Sequence, residues 1–425
     1  MQRVDAYSLA KALFWFLPGR IRERLHGIRH HFVRLWRTRR VSLSSRVGSD
    51  IAWADFLANV LDCREQSTPV FVFEPTIDWG TTLFQRPQHM AMALGRKGCI
   101  VLYRTTGDGV GGVREIAPNV WLVGTREVEE LRGAVWCVYS TASLCSPEQM
   151  ADRRKNGRVV YEYIDNIDGE ISGSKAEVQR LLALKAAARA GHTDYLVASA
   201  QLLYAEMSAS GSDAPLAYIS NGVDVSHFRD PRHAEIPLSA RFVEFRHRYR
   251  KLIGYFGAIA PWLWFDIMAQ LAEQLPDVGF VYIGPDYGGC SGKLPRGNNV
   301  LYLGPIDYAV LPAYARQFDI CFIPFSPGSI ARTTSPLKLY EYFALEKPVV
   351  VTADMQECTI FSEVFSGSDL PTFVDAIENA FIAGGLSTYR ESVLRLAYAN
   401  TWDVRAENYL DLLHQGTMFD GSVKD

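Results

Sequence analysis

The sequence predicts an α/β protein made of two doubly wound domains. Three observations lead to this fold class: the apolar runs are short and nearly continuous, they alternate with helical patterns, and a polar stretch at 221–237 divides them into two series. Near-continuous apolar strands are typical of parallel sheets that are covered on both faces by helices. Two such series indicate two doubly wound domains, with ligand sites beyond the carboxyl ends of their strands.

The two series define the predicted elements and the domain boundaries. Strands of the first series are predicted at 70–73, 99–104, 120–123, 135–139, 159–164, 195–198 and 216–219. Strands of the second series are predicted at 252–256, 280–283, 300–303, 320–324 and 349–352. Helices are predicted at 87–97, 174–189, 266–274, 311–317, 336–346 and 370–382, with a terminal helix at 402–418. We therefore assign 49–225 to the first domain and 226–401 to the second.

The composition is that of an ordinary globular protein, with 48% hydrophobic and 21% charged residues. The seven cysteines form neither a Cys-x-x-Cys pair nor a cysteine–histidine zinc spacing, and several of them lie in apolar runs. We therefore expect reduced cysteines in a cytosolic protein. No apolar stretch reaches the ~20 residues that span a bilayer.

Residues 1–48 form a basic arm. They carry eleven basic and two acidic residues, a net charge of +9, although the whole chain has a net charge of −3. An apolar stripe at helical spacing runs through the arm, formed by Ile21, Leu25, Ile28, Phe32 and Leu35. Arginines flank or oppose this stripe, so we expect 1–45 to lie on an anionic membrane surface. The alternative is an arm folded back on the acidic body; nucleic-acid binding is not expected, because the basic run ends there.

The sequence of 333–351 is typical of a loop, a helix and a buried strand, and the start of the predicted helix is suited to binding an anion. Ser335 is a good N-cap, and Pro336 fits the first helical position. The free N–H groups and the positive dipole end at such a start bind phosphate. Lys338 and Glu341 fall within roughly 60° of each other, away from the apolar face. This face offers an ammonium and a carboxylate to a nucleotide diphosphate and its ribose; the alternative is a structural helix with a surface ion pair.

The stretch Gly107-Asp-Gly-Val-Gly-Gly112 fits the dinucleotide-binding pattern Gly-x-Gly-x-x-Gly and follows an apolar strand. The next segment, 113–118, is too short and too closely bounded by proline to form the helix that this motif requires. Without a helix start, the glycines have no dipole to direct at a pyrophosphate. We therefore predict a flexible loop here.

The stretch Thr334-Ser-Pro-Leu-Lys-Leu-Tyr-Glu-Tyr-Phe-Ala344, with Lys347-Pro-Val-Val350 after it, resembles the donor-site signature of retaining GT-B glycosyltransferases related to family 4. It is most similar to the branch of teichuronic acid and cell-surface polysaccharide enzymes. Residues 79–90, 218–228 and 252–259 resemble, in the expected order, the first acceptor-domain loop and helix, the passage between the domains, and the first donor-domain strand and turn. The resemblance implies two Rossmann-like domains facing a cleft, with the last helix returning to the first domain.

The resemblance also implies site residues on the donor side, where the helix start binds the diphosphate and Glu341 binds the ribose hydroxyls. Donor contacts are expected at Gly257, Asp266, Thr334, Ser335, Pro336, Lys338 and Glu341. The chain departs from the family twice, because 257–266 contains no arginine–lysine pair and Thr333 stands where a second glutamate is usual. We expect Arg332 and Lys338 to supply the missing positive charge.

Candidate residues of the first domain lie in two places. Asp165 ends a predicted strand at the cleft, where it would orient a sugar or accept a proton; the alternative is a turn or cap formed with Asp168. Asp78, Arg86 and His89 lie on the first loop and helix, where acceptor contacts are expected. For Arg86 the alternative is an ion pair with a nearby carboxylate, and for His89 it is a structural role.

These features predict a retaining glycosyltransferase that moves a sugar from a nucleotide-diphosphate donor to a lipid-linked glycan or polysaccharide, at the inner face of the plasma membrane. The chain contains no Asp-x-Asp motif for a metal-bridged diphosphate, and the resemblance implies transfer without a metal or other cofactor. Two alternatives stay open: a nucleotide-sugar epimerase of the same fold, and a degenerate scaffold recruited to the membrane.

Overall fold

The computed structural model describes residues 49–81 and 83–420, the side chains of 415–420 excepted. The basic arm at 1–48 lies outside the described residues, so its helix and its membrane contact stay predictions. Among the described residues, no helix is both long enough and apolar enough to cross a membrane.

Eight strands form the first sheet: β1 (Val70–Phe73), β2 (Ile100–Arg104), β3 (Val113–Ala117), β4 (Val120–Val123), β5 (Val135–Tyr139), β6 (Arg158–Tyr163), β7 (Tyr195–Ala198) and β8 (Leu216–Tyr218). Their order across the sheet is β3-β4-β2-β1-β5-β6-β7-β8. Neighbouring strands are parallel except β3, which pairs antiparallel with β4. Because β1 lies between β2 and β5, the winding of the chain reverses there, and a crevice is expected at this edge.

Six parallel strands form the second sheet: β9 (Lys251–Phe256), β10 (Val278–Ile283), β11 (Val300–Tyr302), β12 (Ile320–Ile323), β13 (Val349–Thr352) and β14 (Val364–Gly367). Their order is β11-β10-β9-β12-β13-β14, the order of a dinucleotide-binding sheet. The winding reverses between β9 and β12. The loops that follow these two strands therefore border the crevice of the second sheet.

Helices cover both sheets. Those that precede the second sheet are α1 (Trp53–Phe56), α2 (Arg86–Arg96), α3 (Pro147–Asn156), α4 (Gly169–Ser172), α5 (Lys175–Ala187), α6 (Gln201–Ser208), α7 (Val225–Arg229) and α8 (Ala240–Arg248). The later ones are α9 (Phe265–Gln274), α10 (Leu311–Ala315), α11 (Ser329–Thr333), α12 (Leu337–Ala344), α13 (Gln356–Thr359), α14 (Leu370–Gly384), α15 (Ser387–Ala399) and α16 (Trp402–Asp420). Several begin at capping boxes, for example α3 at Ser146 and α5 at Ser174.

The core of the first sheet lies on both of its faces, because successive side chains of a strand point to opposite sides. On β1, Phe71 and Phe73 belong to one buried cluster, and Val70 and Val72 belong to another. A single large cluster covers the second sheet. Both sheets are thus layered between helices, as their near-continuous apolar strands predict.

The last helix, α16, follows the second sheet in the chain but packs on the first. Its residues Trp402 and Tyr409 are buried in the same cluster as Phe71 of β1. At the surface, Arg96 at the end of α2 pairs with Asp403 at 2.8 Å. The return of the terminal helix ties the two halves of the chain together.

The predicted strands are all present, with ends that differ by at most two residues. Two further strands were missed, β3 at 113–117 and β14 at 364–367. The loop predicted at 107–112 is present, and residues 113–117, which were predicted only not to form a helix, form an edge strand. The charged pair Arg114 and Glu115 interrupts the apolar pattern that would have revealed it.

Candidate active site

The donor-side helix α12 begins one residue later than the sequence predicts. Pro336 occupies the N-cap position in extended backbone, and no side chain caps the helix. The prediction of Ser335 as the N-cap is wrong, because its Oγ accepts a hydrogen bond of 3.2 Å from the backbone N–H of Asn221 instead. The uncapped first turn leaves the positive end of the helix dipole open to an anion.

The side chain of Lys338 lies over the glycine turn that follows β9. Gly257 has φ +142°, and a Cβ at this position would lie 2.7 Å from Cε and 3.2 Å from Nζ of Lys338. Burial lowers the pKa of Lys338, and the nearby Glu341 opposes this shift. The ammonium thus stands where the winding of the second sheet reverses, beside a turn that contains no arginine–lysine pair.

Glu341 is buried one helical turn beyond Lys338, with 6% of its surface exposed. Burial raises its pKa to about 8, although the charge of Lys338 acts in the opposite direction. Among the described residues, no hydrogen bond holds its carboxyl group. A buried carboxyl group without such a partner is costly to the free protein and is suited to hydroxyl donors of a ligand.

Asp165 reaches the same region from the first sheet, two residues after β6 ends. Its Oδ2 accepts a hydrogen bond of 3.2 Å from Oγ1 of Thr141. Burial raises its pKa to about 6, whereas Thr141, Arg86 and Lys338 lower it. The charges of Asp165 and Lys338 act on each other, so these two groups lie within electrostatic reach of one another.

Comparison with known proteins identifies this arrangement of sheets. No family model matches the chain. One relative, the putative teichuronic acid biosynthesis glycosyltransferase TuaH of Bacillus subtilis (strain 168), is 32% identical over 160 residues. The match spans 36% of this chain and 40% of the relative, which is less than half of either protein.

Solved structures match over most of the chain. The UDP-forming α,α-trehalose-phosphate synthase of Burkholderia vietnamiensis covers 85% of it at 12% identity, with a TM-score of 0.63 and all 100% of its own length matched. Sucrose-phosphate synthase of Thermosynechococcus elongatus covers 84% at 16% identity, with a TM-score of 0.59 and 100% of its length matched. The chain has the GT-B fold. Anabaena Alr3699/HepE in complex with UDP also matches, at 13% identity and a TM-score of 0.54, over 82% of this chain and 100% of its own.

The side chains of the remaining donor-side candidates in the GT-B cleft differ in their exposure and in their protein partners. Arg332 is exposed, but its guanidinium pairs with Asp354 at 3.0 Å. Thr334 is the C-cap residue of α11 and donates its hydroxyl to the carbonyl of Ile330 at 2.7 Å. Asp266 lies exposed in the first turn of α9. Of the predicted donor residues, the structure therefore brings Gly257, Lys338 and Glu341 into one cluster.

Two of the three acceptor-side candidates are buried. Arg86 is 1% exposed and pairs through Nε with Glu162 at 2.7 Å, which is the ion pair that the sequence left as an alternative. His89 is buried in a stack on Trp402, with ring centroids 4.9 Å apart. Burial lowers the pKa of His89 to about 3, so the ring is neutral at physiological pH and suits a structural role.

The third acceptor-side candidate, Asp78, fixes the glycine-rich loop that the sequence singled out. Its Oδ1 accepts hydrogen bonds from the hydroxyl of Thr105 at 3.1 Å and the N–H of Thr106 at 3.0 Å. Asp108, inside that loop, accepts in return from the N–H of Trp79 at 2.7 Å and of Gly80 at 3.0 Å. The two loops at the carboxyl ends of β1 and β2 thus hold each other, and the predicted loop has a fixed place.

Sequence reasoning missed the polar residues that join the domains. Glu357 of α13 accepts hydrogen bonds from the N–H of Gln201 at 2.5 Å and from the hydroxyl of Tyr218 at 2.6 Å. Asn221 contacts Ser335 and Arg86. One signal was available, because Glu162 stands inside an apolar strand and a buried carboxylate requires a partner. Within 49–81 and 83–420, no group of three or more His, Cys, Asp or Glu side chains could hold a metal ion.

Proposed function

We propose that this protein is a glycosyltransferase that moves a sugar from a nucleotide-diphosphate donor to an acceptor hydroxyl. The observation that carries the proposal is the donor cluster: the Lys338 ammonium over Gly257, one helical turn from the buried carboxyl group of Glu341. The name of the relative TuaH and the UDP complex of HepE support it. A cluster of this kind matches a diphosphate next to a ribose.

In the proposed donor complex, the diphosphate lies against the uncapped start of α12. Lys338 and the free N–H groups of the first turn bind the phosphate oxygens. The diphosphate also contacts the three residues just before that turn, Thr334, Ser335 and Pro336. Gly257 allows close approach of the phosphate because it has no side chain. Glu341 accepts hydrogen bonds from the ribose hydroxyls. Arg332 adds positive charge at the entrance once its pairing with Asp354 loosens.

The reaction breaks the bond between the anomeric carbon and the diphosphate oxygen and forms a bond from that carbon to the acceptor oxygen. Negative charge grows on the departing diphosphate, where Lys338 and the helix dipole stabilise it. The acceptor hydroxyl loses its proton, and we assign to Asp165 the role of orienting that hydroxyl or accepting the proton. The resemblance supports retention of configuration at the anomeric carbon, without a metal ion.

We propose a lipid-linked glycan or growing polysaccharide as the acceptor, at the inner face of the plasma membrane. The name of TuaH, which refers to teichuronic acid biosynthesis, and the predicted basic arm support this acceptor. The synthases among the structural neighbours are named for sugar phosphates. A sugar phosphate is therefore the comparison acceptor in any assay.

The experiment incubates the full chain with UDP-, GDP- and dTDP-sugars, with a membrane lipid extract, a polysaccharide fraction or a sugar phosphate as acceptor. We expect labelled sugar to enter the lipid or polysaccharide fraction from one donor class. The Lys338→Ala variant should slow transfer by about 100-fold or more, whereas Lys251→Ala, at the opposite end of β9, should not. Acceptor-free epimerisation of a donor would favour the epimerase instead, and failure to bind any nucleotide would favour a scaffold.

A further inference from the structure

Asn221 lies in the link between the two sheets and forms hydrogen bonds in three directions. Its Oδ1 accepts from Nη1 of Arg86 at 3.2 Å, and its backbone carbonyl accepts from Nε of Arg405 at 3.0 Å. Its Nδ2 donates to the carbonyl of Ser335 at 2.5 Å, and its N–H donates to the hydroxyl of the same serine at 3.2 Å. The residue therefore joins the first domain, the donor helix start and the terminal helix.

The two ends of this chain of hydrogen bonds lead to the cleft. Arg86 binds Glu162, which lies on β6 three residues before Asp165. Ser335 lies three residues before Lys338, at the start of α12. A path of direct hydrogen bonds thus runs from the strand that leads to the candidate base to the residue that precedes the helix with the candidate cation.

The path is buried along its whole length. Glu162 is 0% exposed, Ser335 2% and Asn221 5%. Hydrogen bonds shielded from water hold their partners in defined positions, and a buried polar group that loses its partner is penalised. Leu337, the first residue of α12, also packs against the apolar cluster of the first sheet. Small changes at Asn221 therefore transmit directly to the position of α12.

We propose that Asn221 is a positioning residue that sets the separation of Asp165 and Lys338 across the cleft. This inference rests on the proposed function. Asn221 acts through the start of α12 and, on the other side, through Arg86 and Glu162. It does not touch the substrates. The residue type is required because the amide must accept from a guanidinium on one side and donate to a carbonyl on the other, which neither Asp nor Leu can do.

The test is the Asn221→Asp substitution, which keeps the size and the contact with Arg86 but replaces the amide donor that binds the Ser335 carbonyl. We expect the transfer rate to fall at least tenfold while UDP-sugar affinity, or that of the donor that binds best, changes less than threefold. A loss of rate without loss of affinity is what a shift between the two domains produces, since the donor contacts lie within the second domain.

Asn299→Asp provides the matched control. Asn299 is also buried, and its Nδ2 donates to the carbonyls of Ala272, Leu275 and Val278 inside the second domain. The same loss of an amide donor should lower the unfolding temperature without a selective fall in transfer rate. Equal effects of the two substitutions on rate and affinity would show that Asn221 is merely structural and overturn the inference.

Arg405→Lys tests the same path if Asn221→Asp does not fold, because it removes the guanidinium that donates to the Asn221 carbonyl and lies outside the proposed donor site. We expect a smaller fall in transfer rate, about three- to tenfold, at unchanged donor affinity. Transfer at the rate of the unsubstituted protein in a folded variant would refute the inference while the proposed function stands. A protein that binds and transfers no nucleotide sugar before substitution would refute the proposed function itself.

Discussion

In the proposed donor site, the ionisation state of the Glu341 carboxyl group decides which hydrogen bonds it can form with a ligand. In the free protein its carboxyl group is buried and its pKa is raised to about 8, so at neutral pH it is mostly protonated. An ionised carboxylate accepts hydrogen bonds from both ribose hydroxyls, whereas a protonated one has given up part of that capacity. Binding of the donor should therefore be linked to ionisation of the Glu341 carboxyl group.

The linkage predicts how donor affinity depends on pH. Because the pKa in the free protein is raised, the form that binds the diol grows as pH rises through about 8, and affinity should increase with pH and level off above it. Calorimetry with a nucleotide sugar measures this, since a diphosphate diester does not itself titrate in the range. Glu341→Gln should bind about 10- to 100-fold more weakly with a flat profile; a sloping profile in that variant would rule Glu341 out as the cause.

Asp165 gives the second residue-scale prediction. Its pKa is raised to about 6 by burial, so it ionises as pH rises through about 6. If the carboxylate accepts the acceptor proton, the transfer rate at saturating donor should rise over the same range. Asp165→Asn should lower the transfer rate by about 100-fold or more at unchanged donor affinity. It should also remove the acidic limb of the pH–rate profile, which is the rise of the transfer rate with pH near 6. An acidic limb that survives in the variant would assign it to another group.

At the residue scale, sequence reasoning predicted the relative positions of the donor-side candidates better than those of the acceptor-side candidates. Lys338 and Glu341 could be placed on one face because helical spacing fixes their relation. Ser335 could not be placed, since a residue 114 positions away in the chain, Asn221, binds it. Arg86 and His89 are buried by contacts with β6 and α16, which no local pattern reveals.

At the scale of elements, the glycine turn after β9 depends on a missing side chain. Gly257 has φ +142°, where other residues are strained, and its missing Cβ leaves room for the Lys338 side chain. Gly284, after β10, closely approaches the Gly257 carbonyl, because a Cβ there would lie 1.8 Å from it. The turns after two neighbouring strands thus pack on each other beneath the ammonium.

Gly257→Ala should displace Lys338 as well as strain the turn. We expect a loss of about 1–3 kcal/mol in the free energy of unfolding and a fall in transfer rate that approaches that of Lys338→Ala. Gly288→Ala is the control, because Gly288 also has positive φ, +69°, but no atom lies within 4 Å of the new Cβ. Urea unfolding measures the change in stability, and donor kinetics measure the change in transfer rate. If Gly257→Ala transfers sugar as fast as the Gly288→Ala control, the turn does not position Lys338.

Element prediction succeeded where strands are buried on both faces and missed two of the four edge strands. The central strands are continuous apolar runs and were found within two residues of their ends. The edge strands β3 and β14 are partly exposed and carry polar residues, so their sequences resemble loops. Edge strands depend on the neighbour that they pair with more than on their own pattern.

At the scale of the whole molecule, the two domains are joined at the chain link, at the terminal helix and at polar contacts such as Glu357 with Gln201 and Tyr218. The sequence predicted the two-domain fold because each domain repeats the same alternation of strand and helix. It could not predict the contacts between the domains, since these depend on how two finished surfaces meet.

The proposed role of the basic arm is to hold the molecule at an anionic membrane surface. We expect the full chain to sediment with vesicles that contain anionic lipid and the chain without residues 1–45 to stay in solution, because each basic residue near such a surface contributes about 1 kcal/mol. Binding of the full chain should weaken with added salt. Equal sedimentation of both proteins would refute the membrane role of the arm.

The most direct test of the account is calorimetric titration of UDP, GDP and dTDP into the protein and into Glu341→Ala. Glu346→Ala, a change of the partly exposed carboxylate that pairs with Arg229 just beyond α12, is the control. We predict that at least one nucleotide binds at one site per chain and that Glu341→Ala alone weakens it, by about tenfold or more. Absence of binding by all three nucleotides, or equal affinity in the two variants, would contradict a donor site at the start of α12.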